Sequence, residues 1–350
     1  MHSKTSMQDI ADRLGISKNA VSLALNHKAG VSEELRARVF EAANLLNYRT
    51  EPRNRRKPQH LLVLIPEFIR TDTIFYYEMF WSIEKRAKEH GYTAILCGVT
   101  KDMEQQLILP ELYHEMVFHG MLMIGVFHTD YARMLHELGA PLVTVDHYYD
   151  SLQLDAVVTA NAEEAYKLAS HLIARGHKRI GFIGSENMTK SFKERWTGFQ
   201  NAMSDARLTI DMNHCIAGFA PLETLHASPD DNALAEFVHK RQSLPTAMIC
   251  ANDRIAISLI QILLAQGYQV PDDISVAGFD DIEAAQMITP RLTTIQVQRE
   301  QLGCEAVDFL IRKIDFGGSP SKISIYGQLI ERESCKPLEA ASEEAVSKGY

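Results

Sequence analysis

Between Ser17 and Asn26 the chain presents short polar side chains at helical spacing. Lys18, Asn19, Ser22, Leu23 and Asn26 share one face of Lys18–Asn26, opposite Val21, Ala24 and Leu25. Such a face suits nucleic-acid base edges: Asn bonds adenine through two hydrogen bonds, and Lys donates to guanine. A merely solvated face would be richer in Glu and Lys. Catalytic chemistry finds no comparable pattern. His114-Glu115-x-x-x-His119 spaces its histidines five apart, which on a helix points them about 140° from each other and away from a shared metal. Gly181-Phe182-Ile183-Gly184-Ser185 has neither a P-loop lysine nor a complete G-x-G-x-x-G. No G-x-S-x-G elbow occurs, and Asp280-Asp281 reads as a strand-end ligand anchor. No catalytic residue, metal site or cofactor is expected.

The polar face needs elements to hold it. Met7, Ile10, Ala11 and Leu14 form one helical stripe, which Gly15-Ile16-Ser17 ends, with Gly15 supplying the turn and Ser17 an N-cap. Ser32 caps a third helix, with Glu33 and Glu34 in its first turn and Leu35, Val39, Ala42 and Leu46 inward, ending near Asn47-Tyr48. Two short helices around a glycine turn make a helix-turn-helix, whose second helix enters the DNA major groove. Charge agrees. Residues 1–60 carry 11 Lys/Arg against 6 Asp/Glu, while the whole chain of 350 residues has a net charge of -9. A basic head on an acidic body suits a polyanionic partner.

The polar segment Arg49–His60, bounded by Pro52 and Pro58, marks a domain boundary. Beyond it, Leu61–Pro66, Tyr92–Cys97, Gly120–Val126, Pro141–Val145, Arg179–Ile183, Thr246–Ala251 and Ile274–Gly278 read as buried parallel strands. Amphipathic stretches alternate with them, for example Tyr76–Gly91, Ala162–Gly176 and Ile255–Gly267. Ten or so such strands imply an α/β body of two lobes, with a ligand at the strand C-termini between them. The composition, 46% hydrophobic and 23% charged, is that of a globular chain. No run of 18 apolar residues and no apolar stretch behind the first basic residues occur, so neither a membrane span nor a secretory signal is expected. The five cysteines are widely spaced and read as reduced thiols of a soluble cytoplasmic protein.

Met7-Gln8-Asp9-Ile10-Ala11, Gly15-Ile16-Ser17, Ala20-Val21-Ser22-x-x-Leu25-Asn26, Val31-Ser32 and Ala42-Ala43-x-x-Leu46-Asn47-Tyr48 together resemble the headpiece of the lac repressor/galactose repressor family of bacterial transcription regulators. The body resembles that family's effector domain, whose fold is that of periplasmic sugar-binding proteins. Gly176-His177-x-x-Ile180-Gly181-Phe182-Ile183-Gly184, Glu194-Arg195-x-x-Gly198-Phe199, Ala251-Asn252-Asp253 and Val276-x-Gly278-Phe279-Asp280-Asp281 carry it. The likeness spans most of residues 6–335 and lapses in the linker, around Glu67–Asp72 and around Asn213–Asp231. It implies a small all-α headpiece (1–48), a basic linker (49–60), a two-lobed periplasmic-binding-protein-like (type I) effector and dimerisation domain with parallel sheets (61–335) and a flexible tail (336–350). A periplasmic binding protein is the alternative for the body alone.

The resemblance also implies roles. Lys18 and Asn19 would read bases, with Ser17 and Ser22 as phosphate or secondary contacts. Leu23 stands where the family usually has Arg, and would meet a thymine methyl instead. The effector pocket would take Arg195, Asn252 and Asp280 from one lobe and Asp146 from the other. Phe75 or Tyr76 would stack on an apolar ring face, with Asn161 and Phe219 as further candidates. Without the resemblance, Arg195 reads as a surface helix charge and Asn252 as a strand-end cap. Carboxylates, an amide and a guanidinium together satisfy sugar hydroxyls, so a sugar or sugar phosphate is expected, with a nucleoside or purine as the alternative.

Departures qualify the match. Ile74 and Arg291 replace prolines, and Ala160 replaces a frequent Asp. Relatives carry an Ala- and Leu-containing hinge helix that inserts a leucine into the minor groove. Here Glu51–His60 has no aliphatic residue, and Arg53, Arg55, Arg56 and Lys57 offer charge to phosphates or a narrow minor groove instead, with a solubilising spacer that never touches DNA as the alternative. Lys336–Tyr350 has no leucine heptad, so the expected assembly is a homodimer on a pseudo-palindromic double-stranded operator.

Overall fold

A computed structural model describes residues 6–25, 30–46, 48, 59–67, 73–184, 189–216, 231–239 and 243–338. The chain divides into two compact units, Met1–Pro58 and Gln59–Tyr350. Among the described residues, the first holds three helices, α1 (Met7–Leu14), α2 (Lys18–Leu25) and α3 (Glu33–Leu45). Ser6 and Asp9 form a capping box at the start of α1, and Gly15 ends it at φ 63°. That left-handed conformation is cheap for glycine, which makes the sharp turn into α2 possible. Ile10, Ala11, Val21, Ala24, Val39, Ala42 and Ala43 form the core, on the stripes that the sequence pattern marks.

The second unit begins with β1 (Gln59–Pro66), so Gln59 and His60, read as the end of the linker, pair with Tyr92 and Thr93. It continues through α4 (Thr73–Glu89), β2 (Tyr92–Val99), α5 (Lys101–Gln106), α6 (Glu111–Glu115), β3 (Phe118–Ile124), α7 (Thr129–Glu137), β4 (Leu142–Val145) and β5 (Asp155–Thr159). Next come α8 (Asn161–Ala174), β6 (Ile180–Ile183), α9 (Lys190–Asp205), β7 (Cys215–Ile216), α10 (Asp231–His239), β8 (Ala247–Cys250), α11 (Asp253–Ala265), β9 (Ser275–Ala277) and α12 (Glu283–Met287). The chain closes with β10 (Thr294–Gln296), α13 (Arg299–Phe316), β11 (Lys322–Ile325) and β12 (Gln328–Ile330). His119 lies in β3, outside the helix that holds His114, so the helical spacing assumed for that pair does not apply.

Two parallel sheets, ordered β11-β5-β4-β3-β1-β2 and β7-β6-β8-β9, form the two lobes, with an antiparallel β10-β12 pair beside them. Alternation along β1 explains how the first sheet is covered. Leu61, Val63 and Ile65 pack with Met79 and Ile83 of α4 and Leu302, Ala306 and Leu310 of α13. Leu62 and Leu64 point the other way, onto Tyr131 and Leu135 of α7. Each such side chain fully buried contributes about 2 kcal/mol of transfer free energy. The chain passes between lobes more than once: α8 follows β5 but packs on α9, and α13 returns to α4. A Cβ at Gly198 would overlap the Ala162 carbonyl, so only glycine lets α8 and α9 approach this closely.

The tail expected from Lys336 is tied down at its start. Lys336 N donates to Ser275 Oγ at 3.1 Å, and Leu338 N donates to Arg175 O at 2.8 Å. Among the described residues, no helix is long and apolar enough to cross a membrane.

Candidate functional site

In the first unit, Ser17 Oγ accepts from Ala20 N at 3.1 Å and Ser32 Oγ from Leu35 N at 3.2 Å, fixing the starts of α2 and α3. Arg36 NH1 donates to Ala24 O at 3.3 Å and ties α3 to the end of α2. This frame leaves Ser17, Lys18 and Asn19 exposed, while Ser22 and Leu23 are half-buried. A Cβ on Gly30 would meet Leu23 Cδ1 at 3.5 Å, so Leu23 leans toward that turn. Asn26, Arg53, Arg55, Arg56 and Lys57 lie outside the described residues, as do Phe219 and the side chain of Ile74.

In the second unit, polar residues gather at strand C-terminal ends. Asp146 follows β4, Asn161 opens α8 just after β5, Asn252 follows β8 and Asp280 lies beyond β9. Asp146, Asp280 and Asp281 take positive φ, 63°, 121° and 53°. Such backbone costs about 1–3 kcal/mol per residue and concentrates at functional sites.

Arg195 is the hub, and the surface-charge reading of it is overturned: it is only 4% exposed. Its Nε donates to Asn161 Oδ1 at 2.9 Å and its NH1 to Ala251 O at 2.6 Å, while NH1 lies 3.3 Å from Asp280 Oδ1. The guanidinium sits 3.7 Å from the Phe279 ring centroid, a cation–π contact that holds its plane. Asn161 Nδ2 donates to Glu194 Oε2 at 3.2 Å, and Tyr148 Oη donates to Glu194 Oε1 at 2.6 Å. Tyr148 comes from the β4–β5 segment of the first lobe and Glu194 from α9 of the second, so this chain of bonds spans the cleft. On the first lobe, Tyr76 Oη donates to Asp146 Oδ2 at 3.3 Å, with Phe75 edge-on to Tyr76 at 4.9 Å.

Asn252 caps α11 through Oδ1, which accepts from Ile255 N at 3.0 Å, as its strand-end reading expects. Arg299 was not foreseen. Its Nε donates to Glu78 Oε2 of α4 at 2.8 Å and its NH1 to Asp280 O at 2.7 Å, which links the lobes beside a cavity of about 420 Å³. A cation at a helix start opposes the dipole, and that was the available signal. Tyr148 and Glu194 were missed too. Glu194 is adjacent to Arg195 in the chain, which is the one sequence signal for it.

Burial raises the Asp146 carboxyl to about 7, with Asp280 and Glu194 adding to the effect against Arg195 and Tyr76. Burial likewise raises Asp253 to about 7. Asp146, Glu194 and Asp280 around the Arg195 guanidinium make an acceptor-rich interior, suited to a ligand that donates hydrogen bonds.

Residues 6–51 match a model described as bacterial regulatory proteins, lacI family, and residues 169–335 match one for a periplasmic binding protein-like domain. An HTH-type transcriptional repressor PurR of Haemophilus influenzae (strain PittEE) is 30% identical over 340 residues, 95% of this chain and 99% of its own length. A transcriptional regulator CelR–cellobiose complex is similar in structure, with TM-score 0.69 and 22% identity over 94% of this chain and 99% of that one. The lac repressor dimer bound to operator and the anti-inducer ONPF gives TM-score 0.70 and 20% identity over 95% of this chain and all of that one.

Proposed function

The chain belongs to the lacI family of bacterial regulatory proteins, and from that footing we propose how its parts divide the work of a repressor. It is a DNA-binding transcriptional regulator, not an enzyme. Its α2 reads an operator through Lys18 and Asn19, with Ser17 and Ser22 at phosphates or in secondary contacts, and it works in the cytoplasm. A small molecule bound between the lobes sets its affinity for DNA.

One observation carries the effector reading. Tyr148, Glu194, Asn161, Arg195 and Asp280 form a continuous polar chain across the cleft, beside Asp146 and Tyr76. A sugar fits this chemistry: its hydroxyls donate to the carboxylates, and an apolar ring face lies on Phe75 or Tyr76. The cellobiose bound by the similarly folded CelR is consistent with that class of ligand.

A homodimer completes the reading. Tyr77 and Trp81 of α4 are 55% and 57% exposed, and Leu96 of the edge strand β2 is 50% exposed. A second copy covering this face would give two headpieces for a two-fold operator.

The test is a thermal-shift screen of the full chain against sugars, sugar phosphates and nucleosides, followed by operator-binding anisotropy with each hit. A hit that shifts DNA affinity in the wild type but not in Asp280→Asn supports the cleft. Hits that act with equal potency on both proteins would refute it.

A further inference from the structure

At the rim of the same cleft, Lys190 pairs with the Asp150 carboxylate, and Lys193 and Lys322 lie within its electrostatic reach. Lys190 Nζ donates to Asp150 Oδ2 at 2.5 Å and lies 4.9 Å from the Tyr148 ring centroid. Lys322 Nζ lies 3.9 Å from the same centroid. Lys193, one turn along α9, joins Lys190 and Lys322 in the field that holds the Asp150 carboxyl below the usual carboxylate range, the Lys190 hydrogen bond being the largest cause. Among the described residues, Lys193 and Lys322 have no ion-pair partner. Glu194, next to Lys193 in the chain, already accepts from Tyr148 and Asn161.

The burial of the central pair is uneven. The Lys190 side chain is 18% exposed and that of Asp150 is 73% exposed. A cation sunk into the rim is therefore neutralised by a carboxylate standing in solvent, which can swing away at little cost. The excess of two positive charges matches a phosphate monoester, which carries about −1.5 to −2 at neutral pH. Lysines hold phosphate as point charges without a fixed fork geometry, which suits ammonium groups that come from two elements, α9 and β11.

We propose that this rim is the subsite for a phosphate group on the effector, which displaces Asp150 and is held by Lys190 and Lys193 of α9 and Lys322 of β11. The proposal rests on the effector reading above and narrows it to a phosphorylated ligand. One anion would then engage lysines of both lobes at once, so binding favours their approach.

Inorganic phosphate serves as the probe, titrated into the full chain against chloride at matched ionic strength and followed by melting temperature. A saturable stabilisation is expected, weakened by roughly tenfold or more in Lys190→Gln/Lys193→Gln/Lys322→Gln. Asp150→Asn removes the competing carboxylate and should tighten phosphate binding several-fold, a gain that a misfolded variant cannot mimic. No saturable effect beyond chloride, retention of it in the triple variant, or no tightening in Asp150→Asn overturns the subsite. Asp280→Asn separates the two readings: it removes the DNA response to an effector and leaves the phosphate titration unchanged.

Discussion

Tyr148 and Glu194 join the two lobes through a single hydrogen bond of 2.6 Å, and Glu194 passes the connection on to Asn161 and thence to Arg195. The carboxylate spends both oxygens on these partners. Closure of the cleft and orientation of its guanidinium are therefore one structural event. A ligand that pushes on Arg195 is felt at Tyr148.

Tyr148→Phe removes the donor and leaves the ring beside Lys190 and Lys322. A hydrogen bond to a charged group is worth about 1.5–3 kcal/mol when buried, and partial exposure here reduces the expected loss to about 1 kcal/mol. Urea unfolding should show that loss, and scattering of the ligand-free protein should show a larger radius. An unchanged radius and midpoint would mean that the bond does not hold the lobes.

Arg195→Lys keeps the charge but not the fork. Asn161 Oδ1 and Ala251 O then cannot both be served, and the stack on Phe279 is lost. A buried carbonyl left unpaired costs about 1–3 kcal/mol, enough to remove an effector response while operator binding survives. Full effector sensitivity in this variant would show that the guanidinium geometry is irrelevant.

Asp146 supplies a pH test. Its folded pKa near 7 lies above the ordinary 3.8, so the native state holds the proton over a range where the unfolded chain has lost it. Its contribution to stability is present at acid pH and is lost as pH rises through about 7. Asn keeps the neutral form at every pH and tolerates the φ of 63°. Asp146→Asn should therefore gain stability relative to wild type as pH rises from 3.8 to about 7, read as a urea-midpoint difference that grows over that range and levels off above it. A ligand whose hydroxyls donate to the ionised carboxylate should bind wild type more tightly as pH rises over the same range, with the variant flat. A constant midpoint difference would place the carboxyl in an ordinary environment.

The sequence makes the scaffold visible because apolar periodicity is a local signal. Leu61–Pro66 reads as a strand, and Ala165, Leu168, Ala169 and Leu172 mark the buried side of α8. Local polarity misleads at the margins: Gln59 and His60 look like linker yet pair with β2. Arg195 follows only from the resemblance, since a lone charge on an amphipathic helix reads as solvated, whereas Asp280 is legible as a strand-end ligand anchor. Tyr148 and Glu194 are 46 residues apart and meet only because β4 and α9 belong to facing lobes. No spacing rule reports such a pair. Arg299 gave a faint signal through its place at a helix start, but its partners, Glu78 and Asp280, are set by topology.

DNA recognition gives the last prediction, because its two components respond to different measurements. Lys18 and Asn19 stand exposed on a capped, packed helix, so truncating one leaves the headpiece core of Ile10, Val21 and Val39 untouched. Asn19→Ala should cost about 1–3 kcal/mol on the operator and relax preference at one base pair in each half-site, the two half-sites lying about 34 Å apart. Arg53, Arg55, Arg56 and Lys57 lie in a segment without aliphatic residues, where four positive charges are available to phosphates. Neutralising all four should leave base preference intact and lower the steepness of log K against log salt, since each phosphate contact contributes about 0.9. The same segment lacks a leucine to wedge into the minor groove, so the operator centre should stay nearly straight in a bending assay. Equal loss on operator and random DNA for Asn19→Ala would remove its base-reading role. A salt slope unmoved by the quadruple change, or a strong central kink, would show that this linker engages DNA by some means other than charge.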